Sequence, residues 1–361
     1  ISILRGISIR MPLLIYGADI NDEDKEITIE NFTKLIDSQS WEEFMPKKVT
    51  KQLFNSFKKY YEPDVFRAAG KKIRAMSRAA DNLPIEERIG RITTIFNTFR
   101  NPDKETVLTP WRVVNMHLGD CLGGYIFYGD KYENMIEEPR YIEQDDITKN
   151  VFSADSRILE INSKSGLYPL YMAYGIYRTR LKEKYSDGNF ELEQQLQIWD
   201  SVVSENIFVI CKTPMAKSIT RRTLVGFRNA KVNTRYFEDL INQITNKTAN
   251  FVEKVQQGKS YWKSNNNDNM KFNAIVGNPP YQSMTTGNAN GAQAVPVYQK
   301  FVEISINLSP SYISMITPSR WFAGGWSLDN FRDKMIVSNK LRLIHDYQNS
   351  SDCFPEVDIK G

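Results

Sequence analysis

The sequence predicts a doubly wound α/β domain with an open parallel sheet, preceded by a smaller helical unit. Two observations carry this. From about residue 107 onward, short apolar runs of strand length alternate with longer stretches of helical period. From Trp41 to Arg100 only the helical period is present. The 361 residues allow one large or two ordinary domains, and 41% hydrophobic residues are enough for a substantial core. The expected division is 1–40 as the end of a preceding domain or a linker, 41–106 as the helical subdomain, and 107–361 as the α/β domain.

At the N-terminus, apolar runs broken by Arg5 and Arg10 read as two short strands over Ile1 to Tyr16. Val49, Leu53, Phe54 and Phe57 then recur at helical spacing, and Pro63 and Pro84 sit where first helical turns begin. Ile73, Met76 and Ala80 continue that period, followed by Ile89, Ile92, Ile95, Phe96 and Phe99. The region is basic, and Lys71, Lys72 and Arg74 are its candidates for phosphate contact. A solvated helix face explains the same charges equally well.

The chemistry concentrates near residue 278. Phe272 to Gly277 is a strand-like apolar run, followed at once by Asn278-Pro279-Pro280-Tyr281. An asparagine-proline turn is common, but a second proline and an aromatic are not explained by turn chemistry. An exocyclic amine on an aromatic ring is a weak nucleophile, because its lone pair is delocalised. A site that uses it must hold both amine hydrogens and leave the lone pair free. The Asn278 carbonyl oxygen accepts one hydrogen and the Pro279 backbone carbonyl the other. The prolines stiffen the backbone and remove competing donors. Tyr281 offers a face for a base rotated out of its stack. No acid or base of tuned pKa is needed, and the two histidines, His117 and His345, read as structural.

These residues resemble the amino-methyltransferases of type IIG restriction-modification systems, over about Leu108 to Gly361. The resemblance implies a seven-stranded Rossmann-like methyltransferase sheet. It also implies S-adenosyl-L-methionine as cofactor and transfer of its methyl group to the exocyclic amine of a flipped-out adenine in double-stranded DNA. Leu108 to Met116 resembles the family's TPxxVVxxM element, so Thr109 and Pro110 are expected at the donor, with Thr109 as helix cap. Arg157 to Gly166 resembles the first strand and its acidic, glycine-bearing loop. Glu160 would hold the donor's ammonium, Ile161 and Asn162 would line the site, and Gly166 would let the backbone approach. Asn206 to Pro214 resembles the second strand. The family has an acid for the ribose hydroxyls at the position of Cys211, and a thiol does not replace a bidentate carboxylate. Gly258 to Trp262, before the motif, offers no acid for the donor's adenine. Asn278 is shared by donor and substrate. Thr317 to Phe322 resembles a segment beside the base pocket, with Arg320 as a phosphate contact.

Further along, Tyr298 to Leu308 is expected to be helical and Tyr312 to Ile316 a strand. Leu341 to His345 and Val357 to Ile359 are expected to be the last strands. Met284 to Ala294 is polar, glycine-bearing and aperiodic, and reads as a loop near the pocket.

Composition narrows the alternatives. Cys121, Cys211 and Cys353 are scattered, which argues against structural zinc and disulfides and for a reducing, cytoplasmic setting. No metal is expected. Met11 to Tyr16 is too short to span a bilayer. There is no GxxxxGK[ST] loop, so an ATP-driven motor is not encoded here. The start at Ile1 and the end at Gly361 inside a strand-turn pattern predict a piece of a longer protein. The resemblance implies fused helicase or nuclease and target-recognition domains in it. The rival readings are a methyltransferase for a protein glutamine or an RNA base, and a DNA-binding scaffold without donor.

Overall fold

The computed structural model describes residues 2–20, 26–99, 108–185, 188, 190–265, 269–284 and 294–354. The first elements are all helical: α1 (Ser2–Gly17), α2 (Ser38–Phe44), α3 (Lys51–Phe57), α4 (Pro63–Ala79) and α5 (Ile85–Asn97). Pro63 opens α4 as expected, whereas Pro84 stands one residue outside α5, as its cap. The two strands read over Ile1 to Tyr16 are instead one helix, α1, with Pro12 inside it. Its second half, from Arg10 to Gly17, is buried almost all round, which erases there the amphipathic period that would have marked a helix.

Helix α6 (Trp111–Leu122) leads into a hairpin of β1 (Gly124–Tyr128) and β2 (Met135–Ile142), followed by α7 (Asp145–Val151). This hairpin was not foreseen from sequence. It is anchored to α6 by Asn115, whose side-chain oxygen accepts from Phe127 N at 2.9 Å. Then come β3 (Ile158–Ser163), α8 (Leu167–Lys184), α9 (Leu192–Glu205), β4 (Ile207–Cys211), α10 (Pro214–Val225) and β5 (Asn233–Tyr236). They are followed by α11 (Leu240–Asn246), α12 (Thr248–Val255), β6 (Ala274–Gly277), β7 (Gln282–Met284) and β8 (Ala294–Pro296). Finally α13 (Tyr298–Asn307), β9 (Tyr312–Met315) and α14 (Asp329–Val337) complete the described chain.

Five strands form the central parallel sheet in the order β5-β4-β3-β6-β9. The fold is thus α/β and doubly wound, as predicted. Among the described residues the sheet has five strands, not seven. Leu341 to His345 runs without regular structure and is exposed, and Val357 to Ile359 lies outside the described residues. A strand in this sheet must bury apolar side chains on both faces, and Leu341, Leu343 and Ile344 are instead 40–51% exposed.

The pleat divides the core. Ile158, Ile207, Val209, Ala274 and Val276 point to one face, under α8, α9 and α10. Leu159, Ile161, Phe208, Ile210 and Ile275 point to the other, under α11, α12 and α13. Helix α8 is buried nearly all round. Its tyrosines 168, 171, 174 and 177 each place a phenol oxygen on a polar partner: His117, Gly123 O, Glu86 and Gln195. Burying such a ring is favourable only when its hydroxyl is satisfied.

The N-terminal helices share the first of these cores: Ile7, Leu14, Phe32, Ile89 and Ile92 join the same apolar cluster as Val209 and Val276. Arg88 of α5 is fully buried and donates to Thr223 O at 3.0 Å and Arg222 O at 3.2 Å, the last turn of α10. Beside it, at 3.8 Å, is Asp81, which also accepts from Phe227 N at 2.7 Å. Gly226 has φ +66°, and a Cβ there would fall 1.7 Å from Asp81 Oδ1. Replacing Arg88 by Ala leaves two C-terminal carbonyls without their donor and the buried Asp81 carboxyl without a neighbouring positive charge. A loss of about 3–5 kcal/mol is expected in urea denaturation.

Candidate active site

In an open parallel sheet, ligands bind outside the carboxyl ends of the strands where the winding direction reverses. Here β3 is followed on one side by β4 and β5, and the chain then crosses to the other side for β6 and β9. The reversal lies between β3 and β6. Glu160 is on β3, paired in register with Val276, and Asn278 is the first residue beyond the end of β6. A Cβ on Gly277 would stand 3.5 Å from Glu160 Cγ, so the acid and the NPPY motif are packed side by side.

Thr109 joins them from a third element. Asn278 Nδ2 donates to Thr109 Oγ1 at 3.1 Å. Thr109 is not the helix cap expected of it: that place belongs to Pro110, which makes no side-chain cap bond, and α6 begins at Trp111. The hydroxyl is engaged by the carboxamide instead. In this arrangement the carboxamide turns its nitrogen to the Thr109 hydroxyl. Its oxygen is left buried with no hydrogen-bond partner.

The surroundings are low in dielectric and short of cations. Glu160 is buried, and burial pushes its carboxyl up to about 8, with Ser163 opposing the shift. Its Oε2 has no hydrogen-bond partner, and neither has Asn162 Oδ1. Asn162 takes the left-handed conformation, φ 74°, within β3 where its pairing with β4 slips register between Ile161 and Ser163. Ile161 faces the second core, leaving only its backbone to the site. Burial also pushes the Tyr281 phenol up, opposed by the adjacent Asn278. Pro279 is buried and Pro280 and Tyr281 are half-buried. Tyr281 O accepts from Val297 N at 3.1 Å, tying the motif to the start of α13.

His117 is structural here, as its sequence context suggested. Its Nδ1 and Nε2 each lie 2.8 Å from a hydroxyl, those of Tyr168 and Ser314. Burial depresses the imidazole to about 3, so the ring is neutral. It braces α6 against α8 and β9, just under Tyr168, which feels the charge of both Glu160 and Tyr281.

Other expected site residues take different places. Gly166, φ +76°, faces α10: a Cβ would come 3.0 Å from Thr220 Cα, so close helix packing demands the glycine. The Cys211 thiol is fully buried, 3.8 Å from Thr220 Oγ1, and burial pushes it up. It is turned into α10 and offers nothing to a ribose. Arg74 is half-buried, donating to Ala18 O at 3.0 Å and Ile20 O at 3.1 Å, with its plane 5.1 Å from the Phe227 ring. That commits its guanidinium to the fold and removes it as a phosphate contact. Lys71 pairs with Glu26, and Lys72 is exposed. Arg320 is exposed and stacks 4.2 Å over Trp326. The expected loop is described only at its ends, where Gln282 to Met284 pairs antiparallel with Ala294 to Pro296; residues 285–293 lie outside the described residues.

Two cavities, of about 970 Å³ and 490 Å³, lie away from these residues, by α12 and α13 and between Pro84 and Gln195. No cluster of candidate metal ligands occurs among the described residues, and no described helix is long and apolar enough to cross a membrane.

Fold and site thus define an open parallel-sheet protein in which Thr109, Glu160 and Asn278 meet where the winding reverses between β3 and β6. Residues 205–354 match the family described as Eco57I restriction-modification methylase. An uncharacterized adenine-specific methylase of Mycoplasma pneumoniae is 33% identical over 132 residues, 32% of this chain and 31% of that relative. The chain therefore spans about a third of the length of that curated relative. The match to the restriction-modification methylase family covers the stretch that carries the NPPY motif. Thr109 and Glu160 lie before it, and it is the folded chain that brings them to Asn278.

A buried carboxyl raised to about 8 holds its proton in the fold long after the unfolded chain has lost it near 4.5. Stability from this group is therefore greatest below pH 4.5, falls as pH rises through 8, and is level above. Glu160→Gln should flatten that decline, leaving the variant roughly 3–5 kcal/mol more stable relative to wild type at pH 8.5 than at pH 4.5. Chemical denaturation at a series of pH values measures it.

Proposed function

We propose that this chain transfers the methyl group of S-adenosyl-L-methionine to the exocyclic amino group of a flipped-out adenine in DNA, as part of a restriction-modification system. The observation that carries the reading is the Thr109–Asn278 bond at the β3/β6 reversal. It leaves one carboxamide oxygen buried and open beside a buried acid.

The residues fit the donor at its amino-acid end. Glu160 is a buried carboxyl whose Oε2 has no hydrogen-bond partner, and an ammonium would stabilise its ionised form. When bound, the donor supplies a methyl group on a sulfonium with a neutral leaving group, so the chain need not provide a strong base. Asn278 Oδ1 accepts an amine hydrogen, and the carbonyl of Pro279 is placed next in the chain to accept the second. Thr109 engages the carboxamide nitrogen, which leaves the oxygen for the substrate amine. Tyr281 supplies the aromatic face. These are positioning and electrostatic effects, set before the substrate arrives. The name of the Mycoplasma pneumoniae relative supports adenine over a protein glutamine or an RNA base.

Methyl transfer to mixed-sequence duplex DNA, with the product digested to nucleosides, tests the reading. N6-methyladenine is expected as product. Asn278→Ala should lower the rate on the order of 100-fold or more, and Thr109→Val about tenfold. Methylated glutamine or RNA base as the only product, or an Asn278→Ala rate equal to wild type, refutes it.

Donor binding should also release protons. At pH 7 Glu160 is protonated in the free protein, and an adjacent ammonium would favour the carboxylate. The calorimetric heat of S-adenosyl-L-methionine binding should then vary with the ionisation enthalpy of the buffer. In Glu160→Gln that dependence should vanish.

A further inference from the structure

The position of Cys211 lacks the acid that would take a ribose, yet a carboxylate stands close by. It comes from the N-terminal helices. Glu43 of α2 is 7% exposed. Its Oε2 accepts from the hydroxyl of Thr213, the residue that caps α10 directly after β4. One turn earlier on α2, Ser40 Oγ accepts from Met215 N at 3.0 Å. Helix α2 is thereby docked at the carboxyl end of β4, on the edge of the sheet where the donor is proposed to bind. Glu43 is close enough to act electrostatically on the Cys211 thiol, on Lys212, and on Lys164 in the turn after β3.

Capping alone does not account for this carboxylate. Thr213 already caps α10, accepting from Ala216 N at 3.2 Å, and Ser40 serves Met215 N. The second oxygen of Glu43, Oε1, is buried with no hydrogen-bond partner. Burying such a group is costly unless a donor reaches it. Burial does hold the Glu43 carboxyl above its ordinary range, opposed by Lys164 and Lys212. A vicinal diol offers hydroxyl donors of the kind such an oxygen lacks.

We propose that Glu43 supplies the carboxylate that binds the ribose hydroxyls of the methyl donor, in place of an acid at Cys211. The inference rests on the donor reading above. It makes the N-terminal helices part of the donor site, and it explains how β4 can end in a buried thiol.

The test is calorimetric titration of the full chain with S-adenosylhomocysteine and with its 2′,3′-dideoxyribose counterpart. Glu43→Gln keeps an acceptor for Thr213, and Glu43→Ala is a second variant; thermal melting confirms that each is folded. Both should weaken S-adenosylhomocysteine binding, Glu43→Ala by about tenfold or more. Binding of the dideoxy compound should not change. Unaltered binding of S-adenosylhomocysteine by both variants overturns the proposal and leaves the donor reading intact. So does an equal loss for the two ligands, which is what a merely structural Glu43 would give. A wild-type chain that binds neither ligand overturns both.

Discussion

The parallel pairing of β3 with β4 on one side and β6 on the other is the constraint from which the site follows. A strand held between two parallel neighbours must be buried on both faces, and its polar residues are tolerated only at its carboxyl end. Glu160 is such a residue, and it sits where the winding reverses. Because β6 ends one residue before Asn278, the same pairing that orders the sheet delivers the motif to the acid. Gly277 keeps the two strands' ends in contact at this point.

Around that junction the polar groups fall into two kinds. Some are satisfied within the protein and act as braces: His117 between Tyr168 and Ser314, Arg88 on the carbonyls of α10, the phenols of α8 on their partners. Others are buried and lack a partner: one oxygen each of Glu160, Asn162, Asn278 and Glu43. Other oxygens without a hydrogen-bond partner, such as those of Asp81, Asp200 and Asn206, lie elsewhere, but these four belong to elements converging on one end of the sheet. They are all acceptors. The ligand that suits them carries hydrogens on nitrogen and oxygen, which describes an ammonium, an aryl amine and a diol.

The N-terminal helices are tied to this arrangement at both ends of α10. Arg88 and Asp81 hold its last turn, and Ser40, Glu43 and Thr213 hold its first. Arg74, one of the basic residues that suggested a nucleic-acid surface, is used in the same attachment. Arg74, Arg78 and Arg222 all pack against the ring of Phe227. A sequence count of positive charge does not distinguish a guanidinium stacked on a ring from one facing solvent.

The strands β3, β4, β6 and β9, the helices α8 and α13, and the NPPY motif were legible in the sequence. Each depends on local pattern: uninterrupted β-branched runs, helical period, and an improbable tetrapeptide after a strand. The helix α1 was not, because its second half is buried on nearly every side and so loses the period that betrays a helix. The β1–β2 hairpin was not, because its strands are anchored by Asn115 of a neighbouring helix. The roles of single residues were the least legible. Thr109 was recognised as a site residue but assigned to a helix cap, when its hydroxyl belongs to Asn278, 169 positions away. Glu43 carried no signal at all, since a glutamate in a polar helical stretch looks like any surface acid. Which acceptors end up buried and unpaired is decided by contacts between distant elements. Those contacts exist only once the sheet has closed its order and the helices have packed on it.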